Sequence, residues 1–477
     1  MTRVAIVGGG IAGLATAHAL QAQAPDVEVI VLEASDRVGG HIRSELIDGY
    51  LCEAGPDGFL DNAPSTLAFV EELGLTPRLM PSRDEARRRF IFRRGRLHEV
   101  PLSPRAFVTS GLLSLGSKLR VFAEPFAARA PRHDETILAF AERHMGREAA
   151  HVLVGSMVSG IFAGDASQLS LRACFPKMHE MDATYGSLVR AMIAKRRQNR
   201  SGNGMGAPAG RLTSFAGGME DLVRAVTASL GSVIRTSRRV TDLHVRHAAG
   251  PRLVGARAFS LGTDTQRIEA DAVVLAGPAA ETAELVRPFA PTVCGPLLAI
   301  DTAPLAVVSL GYDAAAMGHD RGPLDGFGFL VPRGEGVRIL GALWETSIYG
   351  ARAPHGKALI RAMIGGATDP SVSDLSDGAL LDTVRADLER TMGLRLAPEF
   401  VHIVRHRRGI PQYTIGHLGR LDRIESGLAG APGLFLAGNS YRGVAVNSCI
   451  EEGRKLAARI TTHLRDLEAR SSFALAR

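Results

Sequence analysis

The chain is poor in cysteine, in lysine and in large aromatic side chains. Its four cysteines, Cys52, Cys174, Cys294 and Cys449, stand far apart, which leaves neither a CxxC redox motif nor a paired zinc spacing. Buried free thiols in a reducing compartment are the expectation. Aromatic residues make up 5% of the chain, with a single Trp, and no zinc-finger spacing or aromatic RNA-binding signature is present. Nucleic acid is therefore not an expected partner. No uninterrupted apolar run approaches the roughly 18 residues that suggest a membrane-crossing helix. No metal-ligand cluster, catalytic triad or carboxylate pair stands out, so no catalytic side chain and no metal are assigned.

What is present is a chain of 477 residues, 45% hydrophobic and 22% charged, long enough for two or three domains with cores of their own. The net charge of +7 is unevenly spread. From Arg83 to Arg132 there are 12 basic residues against four acidic ones, which leaves the remainder close to neutral. Arg190 to Arg211 holds six basic residues and no acidic one. Such stretches suit a lipid surface or a carboxylate-bearing substrate, or else form a solvated basic face.

The opening residues have a clear order. Val4 to Val7 reads as a buried strand, Gly8-Gly9-Gly10-Ile11-Ala12-Gly13 as a turn, and Leu14 to Leu20 as a helix. The dense glycines break the apolar core that a leader peptide would need, so no targeting segment is expected. Gly8, Gly10 and Gly13 match GxGxxG, which permits a tight turn, close backbone approach to a pyrophosphate and close packing of helix on strand. A second strand, Val27 to Leu32, ends in Glu33, whose carboxylate is placed to accept the ribose hydroxyls of an adenosine half. Together these predict a dinucleotide-binding unit.

The next segments resemble the amine-oxidase-like flavoproteins. Asp36-Arg37-Val38-Gly39-Gly40-His41-Ile42-Arg43-Ser44 is similar to their RxGGR motif, which lies along the FAD pyrophosphate. His41 replaces the last arginine of that motif, and Arg43 is the nearest substitute. Glu53-Ala54-Gly55-Pro56-Asp57-Gly58-Phe59 resembles the turn beside the isoalloxazine ring. Thr213 to Met219 resembles the point of re-entry into the cofactor domain, and residues 233–245 read as one strand with Val240 at a backbone contact to the adenine. Gly433 to Asn439 and Gly443 to Asn447 resemble the motif that closes over the flavin, which implies contacts from Gly438, Val444, Ala445 and Val446. A helix beginning near Val444 would aim free amides and its positive end at the pyrimidine side of the ring.

Closer still is the likeness to the oxygen-dependent, FAD-containing protoporphyrinogen oxidases. Its bearers are Arg89-Phe90 before Gly95-Arg96-Leu97, Gly160 to Asp165, Gly326 to Pro332, Leu340 to Leu343, Ile410 to Tyr413, and Gly443 to Asn447. The resemblance implies an α/β (α+β) fold: a Rossmann-like FAD-binding domain, a sheet-based substrate domain and a helical membrane-associating domain. It implies oxidation of protoporphyrinogen IX to protoporphyrin IX, six electrons passing through FAD to dioxygen with hydrogen peroxide formed, and the flavin N5 as hydride acceptor. It places Arg89 at a propionate, Gly160 at a close backbone approach, and Leu330, Leu343 and Met363 along the macrocycle. It also implies contact of residues 101–131, short amphipathic helices broken by prolines, with an anionic membrane surface, in a cytoplasmic, peripherally attached protein. Hand-over to the next tetrapyrrole enzyme and a homodimer stay open. So do two other reactions, oxidation of coproporphyrinogen III and another reaction of the superfamily. His41, His98, His179 and His417 read as surface or structural histidines, without a catalytic role.

The expected parts are an FAD-binding domain at 1–82, 210–295 and 398–477, a helical part at 83–209, and a substrate-facing sheet at 296–397. Residues 199–210 are an expected exposed loop.

Overall fold

The computed structural model describes residues 2–128, 131, 133–201, 210–246, 258–317 and 324–475, without the side chains of 195–201 and 470–475. Arg129 and Arg132 of the basic stretch, and 202–209 of the expected loop, lie outside the described residues, while 199–201 of that loop are instead the end of the helix Leu188–Ser201.

A parallel sheet carries the strands in the order Ile234–Arg235, Glu28–Leu32, Arg3–Val7, Ala272–Leu275, Leu434–Leu436. Both of its faces are covered, which is why its strands are apolar runs without alternation. Val4, Ile6, Val29, Val31 and Val274 pack toward the helices Ile11–Gln23, Glu220–Leu230 and Val446–Leu475. Ala5, Ile30, Leu32, Val273 and Leu275 pack the other way, toward Ala279–Val286, Cys294–Leu298 and His417–Leu428.

The strand expected over 233–245 is two strands in two sheets. Ser237 takes a φ of 51°, Ser237 N donates to Ser35 O and Arg238 N to Glu33 O. These bonds turn the chain off the edge of the parallel sheet and into an antiparallel one, Val240–Val245 with Phe259–Thr263 and Arg267–Ala270.

The second large sheet has seven strands, in the order Phe400–Pro411, Thr302–Asp313, Lys357–Gly365, Ile339–Trp344, Gly328–Leu330, Phe90–Arg93, Arg96–Glu99. It crosses the expected boundaries on both sides, because the hairpin at 90–99 and the strand at 400–411 complete its hydrogen bonding. Alternation divides its faces. Phe329, Ala342, Trp344, Ile360, Ala362, Val308 and Leu310 pack on the helix Asp377–Met392. The register puts Leu330, Gly341, Leu343, Met363, Arg361 and His406 on the opposite face, which looks toward the turns that follow the parallel sheet.

In the helical region Ser103 and Ser114 cap the helices Pro104–Thr109 and Leu115–Phe122, accepting from Ala106 N and Ser117 N. His144 is fully buried, with Nδ1 2.7 Å from Glu124 Oε1 and Nε2 3.1 Å from Asp182 Oδ1. Glu124 also accepts from Ser187 Oγ and Leu188 N, which ties the following helix to the same hub.

Candidate cofactor site and substrate slot

The glycine turn lies at the carboxyl ends of the parallel strands, where open α/β sheets bind ligands. Gly8 N donates to Leu32 O, and Leu14 N returns to Gly10 O as the helix begins. Among the described residues no acceptor meets the amides of Ile11, Ala12 and Gly13, no side chain caps this end, and its first turn has no acidic residue. An ideal Cβ on Gly13 would lie 2.2 Å from Gly8 O, so only glycine lets the helix sit this close to the turn, while a Cβ on Gly10 would meet nothing within 4 Å. Three unpaired amides at a 13-residue helix start, with open space before them, fit a pyrophosphate.

Glu33 supports this turn as well as facing the site. Its Oε2 accepts from Gly9 N at 2.7 Å and its Oε1 from Ser35 N at 2.8 Å, and each oxygen keeps a lone pair for a ribose hydroxyl. Val240 follows two residues after Arg238, whose amide donates to the Glu33 carbonyl.

The second glycine segment is laid on the first. Gly39 N donates to Gly9 O, and Gly40 backs onto the Cα of Gly10. Arg37, which sequence reasoning left without a role, holds this loop by donating to the carbonyls of Gly40 and Ile42 and by pairing with Glu220. His41 is exposed in part, with the His406 ring packed against it. Burial, and then the neighbouring His406 at 5.1 Å between ring centroids, push its pKa down to about 4. At neutral pH His41 is therefore uncharged and does not supply the cation that arginine would. Arg43 is shared with Glu45 at 2.7 Å. The amides, more than side-chain cations, are what this site offers an anion.

The turn at 53–58 runs between the two sheets. A Cβ on Gly55 would lie 2.0 Å from His41 O, and Pro56, Asp57 and Gly58 follow under the seven-stranded sheet. His406 Nε2 is 2.7 Å from Ala54 O, and Arg361 Nη1 donates to Glu53 O and Gly55 O. Neither His406 nor Arg361 was singled out from sequence. Arg361 had a signal, a cation in the middle of the run of apolar residues that follows Lys357 in the strand Lys357–Gly365. Gly438 closes the strand Leu434–Leu436 against Ala276 O, and the final helix starts at Val446, with Val444 and Ala445 leading into it.

The slot residues gather on the sheet face described above. Leu330 pairs with Gly341, Leu343 with Gly328, and Met363 with Gly341, so two leucines and the thioether stand over a floor thinned by glycine. Gly160 reaches them from its helix, since a Cβ there would lie 2.7 Å from Leu330 Cδ2. Arg88 is paired with Glu99 and Asp325, whereas Arg89 has no carboxylate partner among the described residues. Arg89 lays its guanidinium over Phe327 at 4.9 Å, and Phe327 packs in the cluster that holds Leu343. Leu330, Leu343 and Met363 thus share one sheet face with Gly160 against Leu330, and Arg89 stands beside Phe327, which packs with Leu343.

A family profile described as flavin containing amine oxidoreductase matches residues 11–461. The chain belongs to that family. Its cofactor is FAD, and it is an FAD-dependent oxidoreductase. The chloroplastic protoporphyrinogen oxidase of Oryza sativa is 32% identical to it, over 96% of this chain and 88% of that protein. The coproporphyrinogen III oxidase of Bacillus subtilis is 29% identical over 97% of this chain and 98% of that protein. A solved structure provisionally named as a protoporphyrinogen oxidase, from Exiguobacterium, superposes with a TM-score of 0.82 at 27% identity, covering 97% of this chain and 99% of that one. Among the described residues no helix is long and apolar enough to cross a membrane, and no cluster could hold a metal ion.

Proposed function

We propose that this chain oxidises protoporphyrinogen IX to protoporphyrin IX, with six electrons leaving through FAD to dioxygen and hydrogen peroxide formed. The observation that carries the reading is the slot: Leu330, Leu343 and Met363 over glycine, Gly160 in close approach, and Arg89 unpaired at the edge. A porphyrinogen is a broad apolar disc with carboxylate arms. Aliphatic walls exclude water from the disc, and a guanidinium binds a propionate bidentately. The flavin, when bound, supplies the hydride acceptor. The protein's part is to hold the disc against the ring and keep water away, so a general acid or base is not required. The rice and Exiguobacterium relatives support this substrate, and the Bacillus subtilis relative supports coproporphyrinogen III as the second reading.

The helical region supports a second part of the reading, peripheral attachment to an anionic membrane in the cytoplasm. Leu115, Leu119, Phe122 and Phe126 are 54% to 83% exposed, and Leu102 and Val108 are exposed beside them. Apolar side chains at this density, beside the basic stretch, suit insertion at the level of lipid headgroups. A poorly soluble substrate and product would pass through that surface.

Mixing FAD-loaded protein with protoporphyrinogen IX in the absence of air should bleach the flavin absorbance within the mixing time of a manual experiment. A flavin that stays oxidised over minutes overturns the reading.

A further inference from the structure

Beneath the flavin-side turn lies a buried group of charges that the slot does not use. Asp57 is 7% exposed and Glu345, just after the strand Ile339–Trp344, is 1% exposed, and the two carboxyls meet within hydrogen-bonding reach. Neither oxygen of Asp57 nor either oxygen of Glu345 has a hydrogen-bond donor among the described residues. Four acceptor atoms left this way would be costly as two bare carboxylates.

The surrounding groups do not supply the missing donors. Arg361 Nε stands 3.1 Å from Glu345 Oε1 without the alignment of a hydrogen bond, and its Nη1 is engaged by the carbonyls of Glu53 and Gly55. Arg352 donates Nη2 to Ser214 Oγ, lies over the Tyr349 ring, and is 3.4 Å from Glu53 Oε1. Glu53 has its acceptors met, since Ser44 Oγ and Met219 N donate to it, although burial pushes its pKa up to about 7. Burial raises the pKa of Tyr349 and takes that of Cys52 up to about 12, so both are neutral at physiological pH. The tally is three carboxyls, Glu53, Asp57 and Glu345, against two guanidiniums, Arg352 and Arg361. One proton removes the excess charge, and the pair of acceptors in want of a donor is Asp57 with Glu345.

We propose that Glu345 keeps a proton that it donates to Asp57, and that this hydrogen-bonded pair locks the flavin-side turn onto the seven-stranded sheet, so that retention of FAD depends on pH through these two positioning residues. Burial, and then the charge of Asp57, push the Glu345 pKa up to about 8, in the direction this donation requires. The folded chain then keeps a proton that the unfolded chain releases above the ordinary carboxylate range. The lock is complete below the ordinary carboxylate pKa and is lost as pH rises through about 8.

The coupling to FAD rests on the turn lying at the flavin, whereas the proton on Glu345 does not, and two readouts separate them. Infrared spectra of FAD-free Glu53→Gln protein at neutral pH should show a protonated carboxyl band that fades as pH is raised to about 9. Glu345→Gln and Asp57→Asn should each remove it. In this Glu53→Gln background, where the third carboxyl contributes nothing, a spectrum without that band near pH 7, or a band surviving in both variants, overturns the proton on Glu345. In the second readout, the dissociation constant of FAD from wild-type protein should rise about tenfold from pH 7 to pH 9, as the fraction of protonated pair falls. In Glu345→Gln, which keeps a donor in place, it should change less than about twofold. The same pH dependence in both proteins overturns the coupling, even with the infrared band as expected.

Discussion

Arg361 Nη1 lies 3.2 Å from the carbonyl oxygen of Gly55, so a side chain of the seven-stranded sheet holds the backbone of the turn at 53–58. The same atom donates to Glu53 O at 3.2 Å, and Arg361 is 4% exposed. Removing it as Arg361→Leu frees both carbonyls and leaves Glu345 without its nearest cation. The expected loss is about 3–5 kcal/mol of stability, with release of FAD, read by thermal melting and by flavin fluorescence in the dialysate. Adding Glu345→Gln to Arg361→Leu should recover part of the loss. Unchanged melting would mean that Arg361 does not anchor the turn.

Gly13→Ala tests the other end of the cofactor site. The added methyl would meet Gly8 O, and the helix start must move away from the turn it supports. FAD retention should fall with a destabilisation of about 1–3 kcal/mol, whereas Gly10→Ala, which meets open space in the protein, should change the melting of the FAD-free protein by less than about 1 kcal/mol. Equal effects on the FAD-free protein would contradict this account of the loop.

Arg89→Ala removes the unpaired cation of the slot and should raise KM for porphyrinogen by about tenfold, the worth of one charge-assisted contact, with the flavin spectrum intact. Arg88→Ala, whose guanidinium is already shared with Glu99 and Asp325, should change KM little. Equal effects of the two substitutions would place Arg89 outside the slot.

Co-sedimentation with anionic liposomes reads the exposed helical face. Wild-type protein should bind at low salt and release as salt rises, and Leu119→Asp with Phe126→Asp should abolish binding without altering turnover of a detergent-dispersed substrate. Full binding by the double variant would remove this surface from the proposal.

The first two strands of the parallel sheet and the glycine turn between them were legible because they are local. Strand, turn, helix, strand and Glu33 occupy the first 33 residues, and both faces of the sheet are buried, so periodicity and spacing carry the information. The seven-stranded sheet was legible in part. Its outer strands at 90–99 and 400–411 are separated from the central ones by long stretches of chain, and pairing across such distances leaves no local pattern. The break at Ser237 was missed for a similar reason, since it depends on hydrogen bonds to Glu33 and Ser35. The buried carboxyls were invisible as a pair, because Asp57 and Glu345 meet only once the turn is pressed against the sheet. Glu345 directly after an apolar strand and Arg361 inside another were the available signals, each a charge where a hydrophobic residue was due.

The most direct measurement is porphyrin fluorescence against time in air, with FAD-loaded protein supplied separately with protoporphyrinogen IX and coproporphyrinogen III. Protoporphyrin should appear well ahead of air oxidation and faster than coproporphyrin; a faster coproporphyrin signal would assign the other substrate, and no signal above air oxidation with either would contradict porphyrinogen oxidation altogether.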